Sequence, residues 1–148
     1  MKNTKGFTLI ELLAVIVILA IIALIATPMI LGVINDARKG SAQNAALGYI
    51  DSVEKSMVTV MFQTSNDTSV LSNGTYTVSN SGATITNNTD SNETLTVNFK
   101  GDTPKDGSTI TISNGAVTAA KLQFDKIYGY AVNCTSSGCT ASDSEKIS

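Results

Sequence analysis

The stretch KGFTLIELLAVIVILAIIALIATPMILGVI, which runs from Lys5 to Ile34, decides how this chain is organised. From Leu12 to Ile34 there is no charge in 23 consecutive residues, and only Thr27, Pro28 and Gly32 are not plainly apolar. One helix that crosses a membrane needs about 20 apolar residues. The stretch therefore predicts a single membrane-spanning helix.

An acidic residue, Glu11, lies at the start of this apolar stretch. An ionised side chain near the centre of a bilayer costs about 2.5–3.5 kcal/mol or more, so such residues are rare there and usually have a role. Glu11 is therefore a candidate functional residue.

The residues before and around this acid form a motif. A short basic segment, Met1-Lys2-Asn3-Thr4-Lys5-Gly6, precedes Phe-Thr-Leu-Ile-Glu at Phe7–Glu11. This arrangement resembles the class III signal of type IV prepilins, in which a basic leader ends in glycine before a long hydrophobic helix. The resemblance covers roughly the first 35 residues, and beyond them it extends only to the architecture.

The resemblance implies specific roles for four positions. A prepilin peptidase is expected to cut between Gly6 and Phe7 and to methylate the new amine of Phe7. Glu11 is expected to direct assembly by pairing with the amine of a neighbouring subunit. Pro28 falls where the family often has a helix-softening proline, and proline removes a backbone hydrogen bond. With Gly32 nearby, we expect local unwinding here in a fibre.

Two alternatives to this processing remain open from the residues. A secretory signal peptide has an apolar stretch of about 7–15 residues before a small-residue cleavage site. The stretch here is longer, although small residues occur at Gly40-Ser41-Ala42. An ordinary single-span anchor explains the hydrophobicity but not Gly6-Phe7 or Glu11. Two Lys or Arg residues lie close to each side of the span, so their count does not decide which way the helix crosses the membrane. The expectation of a cytoplasmic leader and an external head therefore rests mainly on the resemblance.

The helix is expected to continue beyond the membrane to about Phe62. Small or apolar residues recur at helical spacing at Ala42, Ala45, Ala46, Tyr49, Val53, Met57, Val60 and Met61. This amphipathic face requires a partner, which the rest of the chain can supply. We predict an α+β fold, in which a long N-terminal helix packs its second half on a small antiparallel sheet. The predicted parts are a leader (1–6), an assembly helix (7–34), an amphipathic continuation (35–62) and a β-rich head (63–148).

The head contains short alternating runs that predict three to five antiparallel strands. The pattern is clearest at Thr94–Phe99, and Thr109–Ser113 is separated from Ala116–Thr118 by Asn114-Gly115, a strong hairpin signal. The remaining candidates are Tyr76–Val78, Ala83–Thr86, Leu122–Phe124 and Ile127–Val132. Many threonines are expected to face outward, which suits a sheet with one wet face.

Composition excludes several classes of function. The formal charge is −2, and loss of the leader with its two lysines lowers it to −4, so no basic patch for nucleic acid is expected on the head. The chain contains no histidine, which excludes a Ser-His-Asp triad and a histidine-ligated metal site. We expect no enzymatic activity and no cofactor.

The two cysteines, Cys134 and Cys139, are only five positions apart near the C-terminus. In an oxidising setting a disulfide between them is expected, and closing so short a loop would stabilise the fold by about 2 kcal/mol. Pilins often close a C-terminal loop in this way, usually with a wider spacing. Two free thiols are the alternative.

Two acids, Asp102 and Asp106, share a glycine-containing loop with Lys100 and Lys105. Some pseudopilins bind calcium in a C-terminal loop, and carboxylates at close spacing can bind that ion. The neighbouring lysines favour a solvated loop instead. Calcium is the weaker alternative here.

These features predict a structural subunit of a type IV pilus. We expect it to be made as a single-pass membrane precursor, trimmed by the peptidase and polymerised with itself and other pilins by the pilus assembly machinery into a surface filament. Motility, adhesion and aggregation are the candidate roles. A pseudopilin of type II secretion or DNA uptake is the alternative within the family. A membrane-tethered adhesin that does not polymerise is the alternative from another class.

Overall fold

The computed structural model describes residues 6–63, 71–124 and 129–142, which form one long helix and seven strands. Helix α1 spans Leu9–Gln63. The strands are β1 (Gly74–Ser79), β2 (Thr84–Asn87), β3 (Thr94–Thr96), β4 (Thr109–Ser113), β5 (Ala116–Phe124), β6 (Tyr130–Thr135) and β7 (Gly138–Ser142). The chain divides into two compact units, Met1–Ala37 and Arg38–Ser148.

In the first unit, α1 exposes its large apolar side chains on all sides, from Leu9 at 84% exposure to Ile34 at 41%, and Phe7 just before it is 86% exposed. The helix contains a segment long and apolar enough to cross a membrane, as judged by length and composition. It continues through Pro28, where Thr27 Oγ1 donates a hydrogen bond to the Ala23 carbonyl at 2.6 Å. Because proline has no N–H to donate, the Leu24 carbonyl loses its helical partner there. Local softening at Pro28 and Gly32 stays a prediction.

In the second unit, α1 buries one face against the sheet, which confirms the predicted α+β arrangement. The buried residues, at helical spacing, are Ala42, Ala46, Tyr49, Val53 and Met57. The prediction was wrong for Val60 and Met61, which are 40% and 48% exposed. The buried stripe ends one turn earlier, at Met57.

The seven strands form a single antiparallel sheet in the order β3-β2-β1-β4-β5-β6-β7. Side chains alternate, so that Tyr76, Val78, Ile85, Ile110 and Leu122 enter the core together with the helix residues. The hairpin prediction is confirmed: Asn114 and Gly115 join β4 to β5 with φ angles of 54° and 76°. Both values lie in the left-handed region that this turn requires.

The prediction of three to five strands was wrong, because the sheet has seven. Two predicted runs, at 116–118 and 122–124, belong to one strand, β5. Strand β7 was missed because its sequence, Gly-Cys-Thr-Ala-Ser, shows little apolar alternation. Strand β3 ends at Thr96 rather than Phe99, although Val97 and Phe99 still contact the core. The start of the last predicted run, at 127–128, lies outside the described residues.

Tyr49 lies at the centre of the contact between helix and sheet. Its hydroxyl donates to the Gly82 carbonyl at 2.8 Å, and its ring meets Phe99 edge-on at 5.6 Å between centroids. Burial, with a smaller contribution from Asp106, raises the pKa of the Tyr49 hydroxyl, so it remains a neutral donor. This bond therefore fixes the helix against the β1–β2 turn.

A second anchor of the head is the carboxylate of Glu93. It accepts hydrogen bonds from the N–H and hydroxyl of Ser72 and from Asn87 Nδ2, which itself contacts the Tyr76 hydroxyl. Burial alone would raise the pKa of Glu93, but these donors outweigh it and the pKa is lowered. Burial raises the pKa of Tyr76 to about 12, so that hydroxyl stays neutral beside the acid.

This anchor predicts a pH dependence of stability. The pKa of Glu93 is lower in the folded state than its ordinary value of 4.5. The ionised carboxylate therefore stabilises the fold in full above pH 4.5, and this stabilisation is lost as the pH falls through the folded pKa. Thermal unfolding of the wild type and of Glu93→Gln should differ most at neutral pH and converge as the pH falls below 4.5 and through the folded pKa of Glu93. A difference that stays constant with pH would contradict the role of the carboxylate.

Candidate processing and assembly site

The candidate site is the segment from Gly6 to Leu12, at the start of α1. Thr8 immediately precedes the helix, and Glu11 lies in its first turn. Thr8 Oγ1 and Thr8 N–H both donate to Glu11 Oε2, at 2.7 and 2.8 Å. In return, the N–H of Glu11 contacts Thr8 Oγ1 at 3.4 Å.

This reciprocal arrangement is a capping box, in which a Thr before the helix and a Glu three residues later satisfy each other's backbone N–H groups. The first N–H groups of a helix otherwise have no intrahelical partner. The sequence analysis missed this role of Thr8. The pattern Ser/Thr-x-x-Glu before an apolar run predicts it, in addition to the assembly role expected of Glu11.

The capping box leaves Glu11 able to bind a further group. A carboxylate offers about four acceptor positions, and Thr8 occupies two of them. The side chain is exposed, and the nearby apolar residues Phe7 and Leu9 are 86% and 84% exposed. Because the box lies entirely after Phe7, a cut before that residue would leave it intact.

Gly6 is the first residue of the candidate site, and its surroundings are open. A Cβ added at Gly6 would meet no atom within 4 Å. The fold therefore does not require glycine at this position, and any such requirement would come from an enzyme that binds the segment. The rest of the predicted leader, residues 1–5, lies outside the described residues.

The N-terminal segment is similar to a known family of sequence motifs. Residues 1–27 match the model of the prokaryotic N-terminal methylation motif. This segment matches the N-terminal signal of prepilins. Together with the long apolar helix, the prepilin signal fits a type IV pilin and indicates a membrane-anchored precursor of the pilin or pseudopilin kind. Such a motif implies, in general, processing by a prepilin peptidase and polymerisation of the pilin kind.

The match covers 27 residues and does not extend to the head. Searches among curated proteins and among solved structures found no match for the chain. The prepilin signal therefore identifies the kind of N-terminus, while the head must be interpreted from its own structure.

At the other end of the chain, the structure joins Cys134 and Cys139 by a disulfide. The two residues face each other on β6 and β7, with 4.0 Å between their Cα atoms. The bond therefore connects the edge strand β7 directly to β6, the strand beside it in the sheet.

This disulfide leads to a prediction. Replacing both cysteines by serine should lower the free energy of unfolding by about 2 kcal/mol, because the unfolded chain regains the freedom of a short loop. Thermal unfolding of the full chain with and without reductant measures this effect. Reductant should lower the midpoint of the wild type and leave the Cys134→Ser, Cys139→Ser variant unchanged. A wild type insensitive to reductant would contradict the bond.

Asp102 and Asp106 are the two acids considered for calcium. Asp106 Oδ1 accepts a hydrogen bond from the N–H of Ser81 at 2.7 Å and so holds the β1–β2 turn. Within the described ranges, no group of three or more His, Cys, Asp or Glu residues could hold a metal ion. Calcium takes six to eight oxygen ligands, so Asp102 and Asp106 alone would not suffice.

Proposed function

We propose that this chain is the repeating structural subunit of a type IV pilus. The observation that carries the proposal is the prepilin signal followed by a capped apolar helix that presents Glu11 at its start. The sequence of steps is membrane insertion, cleavage between Gly6 and Phe7, methylation of Phe7, and addition of the subunit to a filament. Its partners are further copies, other pilins, the prepilin peptidase and the assembly machinery.

The apolar surface of α1 supports polymerisation. In a single chain, none of its large apolar side chains between Phe7 and Ile34 is buried by the protein. Lipid covers this surface in the precursor, whereas extraction from the membrane requires another apolar cover. The equivalent helices of other copies supply that cover, and the head remains outside at the cell surface.

Electron microscopy of the cell surface tests this proposal. Cells that make the chain should carry filaments, and peptide mapping of sheared filaments should identify this chain as their main component. Deleting its gene should remove the filaments, and restoring the wild-type chain should return them. Filaments that persist without the chain would contradict the proposal. A chain that stays in the membrane and builds no surface filament would favour a pseudopilin or a tethered adhesin.

A further inference from the structure

The two cysteines of the disulfide have different surroundings, although they face each other in the sheet. Cys134 lies on β6, between β5 and β7, and belongs to the hydrophobic core with only 4% of its surface exposed. Cys139 lies on the edge strand β7 and is half-exposed, and its chain neighbours Gly138 and Thr140 are exposed. One bond therefore joins a residue of the core to a residue near the surface.

The protein also closes the far side of Cys134. Ala120 of β5 lies directly opposite it and is 5% exposed. A groove of about 80 Å³ runs beside both cysteines and is lined largely by apolar residues of α1 and β5, such as Leu47, Ile50 and Val117. One water needs about 10–15 Å³ of such space, so the groove has room for a few waters and is too small for a peptide thiol.

Thiol–disulfide exchange depends on access to one sulfur atom. A thiolate attacks that sulfur to give a mixed disulfide, with the attacking, central and leaving sulfurs nearly in line. Because the bond joins neighbouring strands, attack on Cys139 comes from beyond β7, where the described part of the sheet has no further strand. Attack on Cys134 would have to come from the side of β5, through Ala120 and the core.

We propose that Cys139 is a site of thiol exchange, at which a thiol from outside the protein forms a mixed disulfide, and that Cys134 is the residue released. The ligand is a thiolate, carried either by a low-molecular-weight thiol or by a thiol–disulfide oxidoreductase. This inference goes beyond the proposed function and does not depend on it.

The exchange conserves atoms and electrons. The external thiolate forms a bond to Cys139 Sγ, the Sγ–Sγ bond breaks, and Cys134 leaves with the electron pair as a thiolate that takes a proton from water. In the reverse direction, the Cys134 thiolate attacks Cys139 Sγ and expels the external thiol, which closes the bond. Because β6 and β7 hold the two residues opposite each other, this return step is intramolecular and the mixed disulfide is short-lived.

Two single substitutions, each in the full chain in detergent, measure the two sulfurs separately. Cys134→Ser leaves only Cys139 and Cys139→Ser leaves only Cys134, so each variant lacks the disulfide and is the control for the other. With oxidised glutathione as the probe, intact mass should show that Cys139 gains one glutathione about tenfold faster than Cys134, since reactivity follows exposure. In urea the two rates should converge, because folding then no longer distinguishes the residues.

The wild-type chain provides a second readout, which does not require a substituted core residue to fold. Reduced glutathione is added, the reaction is stopped with acid after short times, and free thiols are alkylated in denaturant. Mass spectrometry should find glutathione on Cys139 and the alkyl group on Cys134. A thioredoxin that lacks its second active-site cysteine tests the other source of the thiol. A link from this thioredoxin to Cys139 supports an oxidoreductase, and a link from glutathione alone supports a small thiol.

Glutathione on Cys134, or equally on both cysteines, would overturn the proposal. Equal rates for the two single variants in the folded state would also overturn it, as would a wild type that forms no mixed disulfide with either probe. Each of these results leaves the proposed pilus function intact.

Discussion

Gly6→Val should leave the precursor uncut, so that the membrane contains only chains that still begin with Met1. A prepilin peptidase must accommodate the residue before the cut, and glycine presents no side chain there. The structure separates this effect from misfolding, because a Cβ at Gly6 meets no protein atom within 4 Å. Uncut chains should also fail to form filaments, because Phe7 then has no free amine.

Gly40→Val is the matched control for this variant. A Cβ at Gly40 likewise meets nothing within 4 Å, and Gly40 lies at the site where a secretory signal peptidase would find small residues. Intact-mass measurement of the membrane fraction should show normal processing of Gly40→Val. Normal cutting of Gly6→Val, or altered cutting of Gly40→Val, would show that the chain is not cut between Gly6 and Phe7.

Glu11→Ala should be inserted and processed normally yet form almost no filaments when it is the only subunit. After cleavage, the amine of Phe7 is a cation at the edge of the apolar helix, and Glu11 is an anion one turn further along. Within an apolar filament core, removing one partner of an ion pair costs about 3–5 kcal/mol. Filament yield relative to processed protein should therefore fall about a hundredfold or more, since 1.4 kcal/mol corresponds to a factor of ten.

Loss of the capping box is a competing explanation for a loss of filaments in Glu11→Ala, because this substitution also removes the hydrogen bond from the Thr8 N–H. Two further variants separate the roles. Glu11→Gln keeps the cap, since glutamine serves at this position of the box, but it loses the charge. Thr8→Val keeps the charge and loses the hydroxyl of the cap, which costs about 1 kcal/mol.

We expect Glu11→Gln to lose filaments as Glu11→Ala does, and Thr8→Val to keep most of them. Sheared-filament yield divided by processed protein in the membrane is the measurement for all three variants. The opposite result, in which Glu11→Gln assembles and Thr8→Val does not, would show that helix capping and not charge directs assembly.

The sequence predicted the parts of this molecule whose signals are local. The apolar stretch, the buried face from Ala42 to Met57 and the Asn114-Gly115 turn each follow from spacing or backbone conformation that a few residues determine. The extent of the sheet was harder to predict. Strand β7 forms because β6 offers an open edge and because Cys139 faces Cys134 across a short hairpin, a pairing that the apolar pattern of β7 does not reveal.

The candidate site shows a different limit of prediction from the sequence. Gly6, Phe7 and Glu11 were identified from their order in the chain, whereas the bonds from Thr8 to Glu11 show that the acid also caps its own helix. The rows of threonines on strands β1 to β4 likewise depend on strand order. Thr94, Thr86 and Thr109 are separated in sequence, and only the pairing of β3, β2, β1 and β4 places them in one row.

The most direct measurement of the central claim is the intact mass of the main subunit of sheared surface filaments. If this chain is a processed pilin that polymerises, that subunit should have the mass of the chain from Phe7 onward, with one added methyl group and with Cys134 and Cys139 oxidised. A subunit that retains residues 1–6, or begins near Ala42, or belongs to a different protein, would contradict the account.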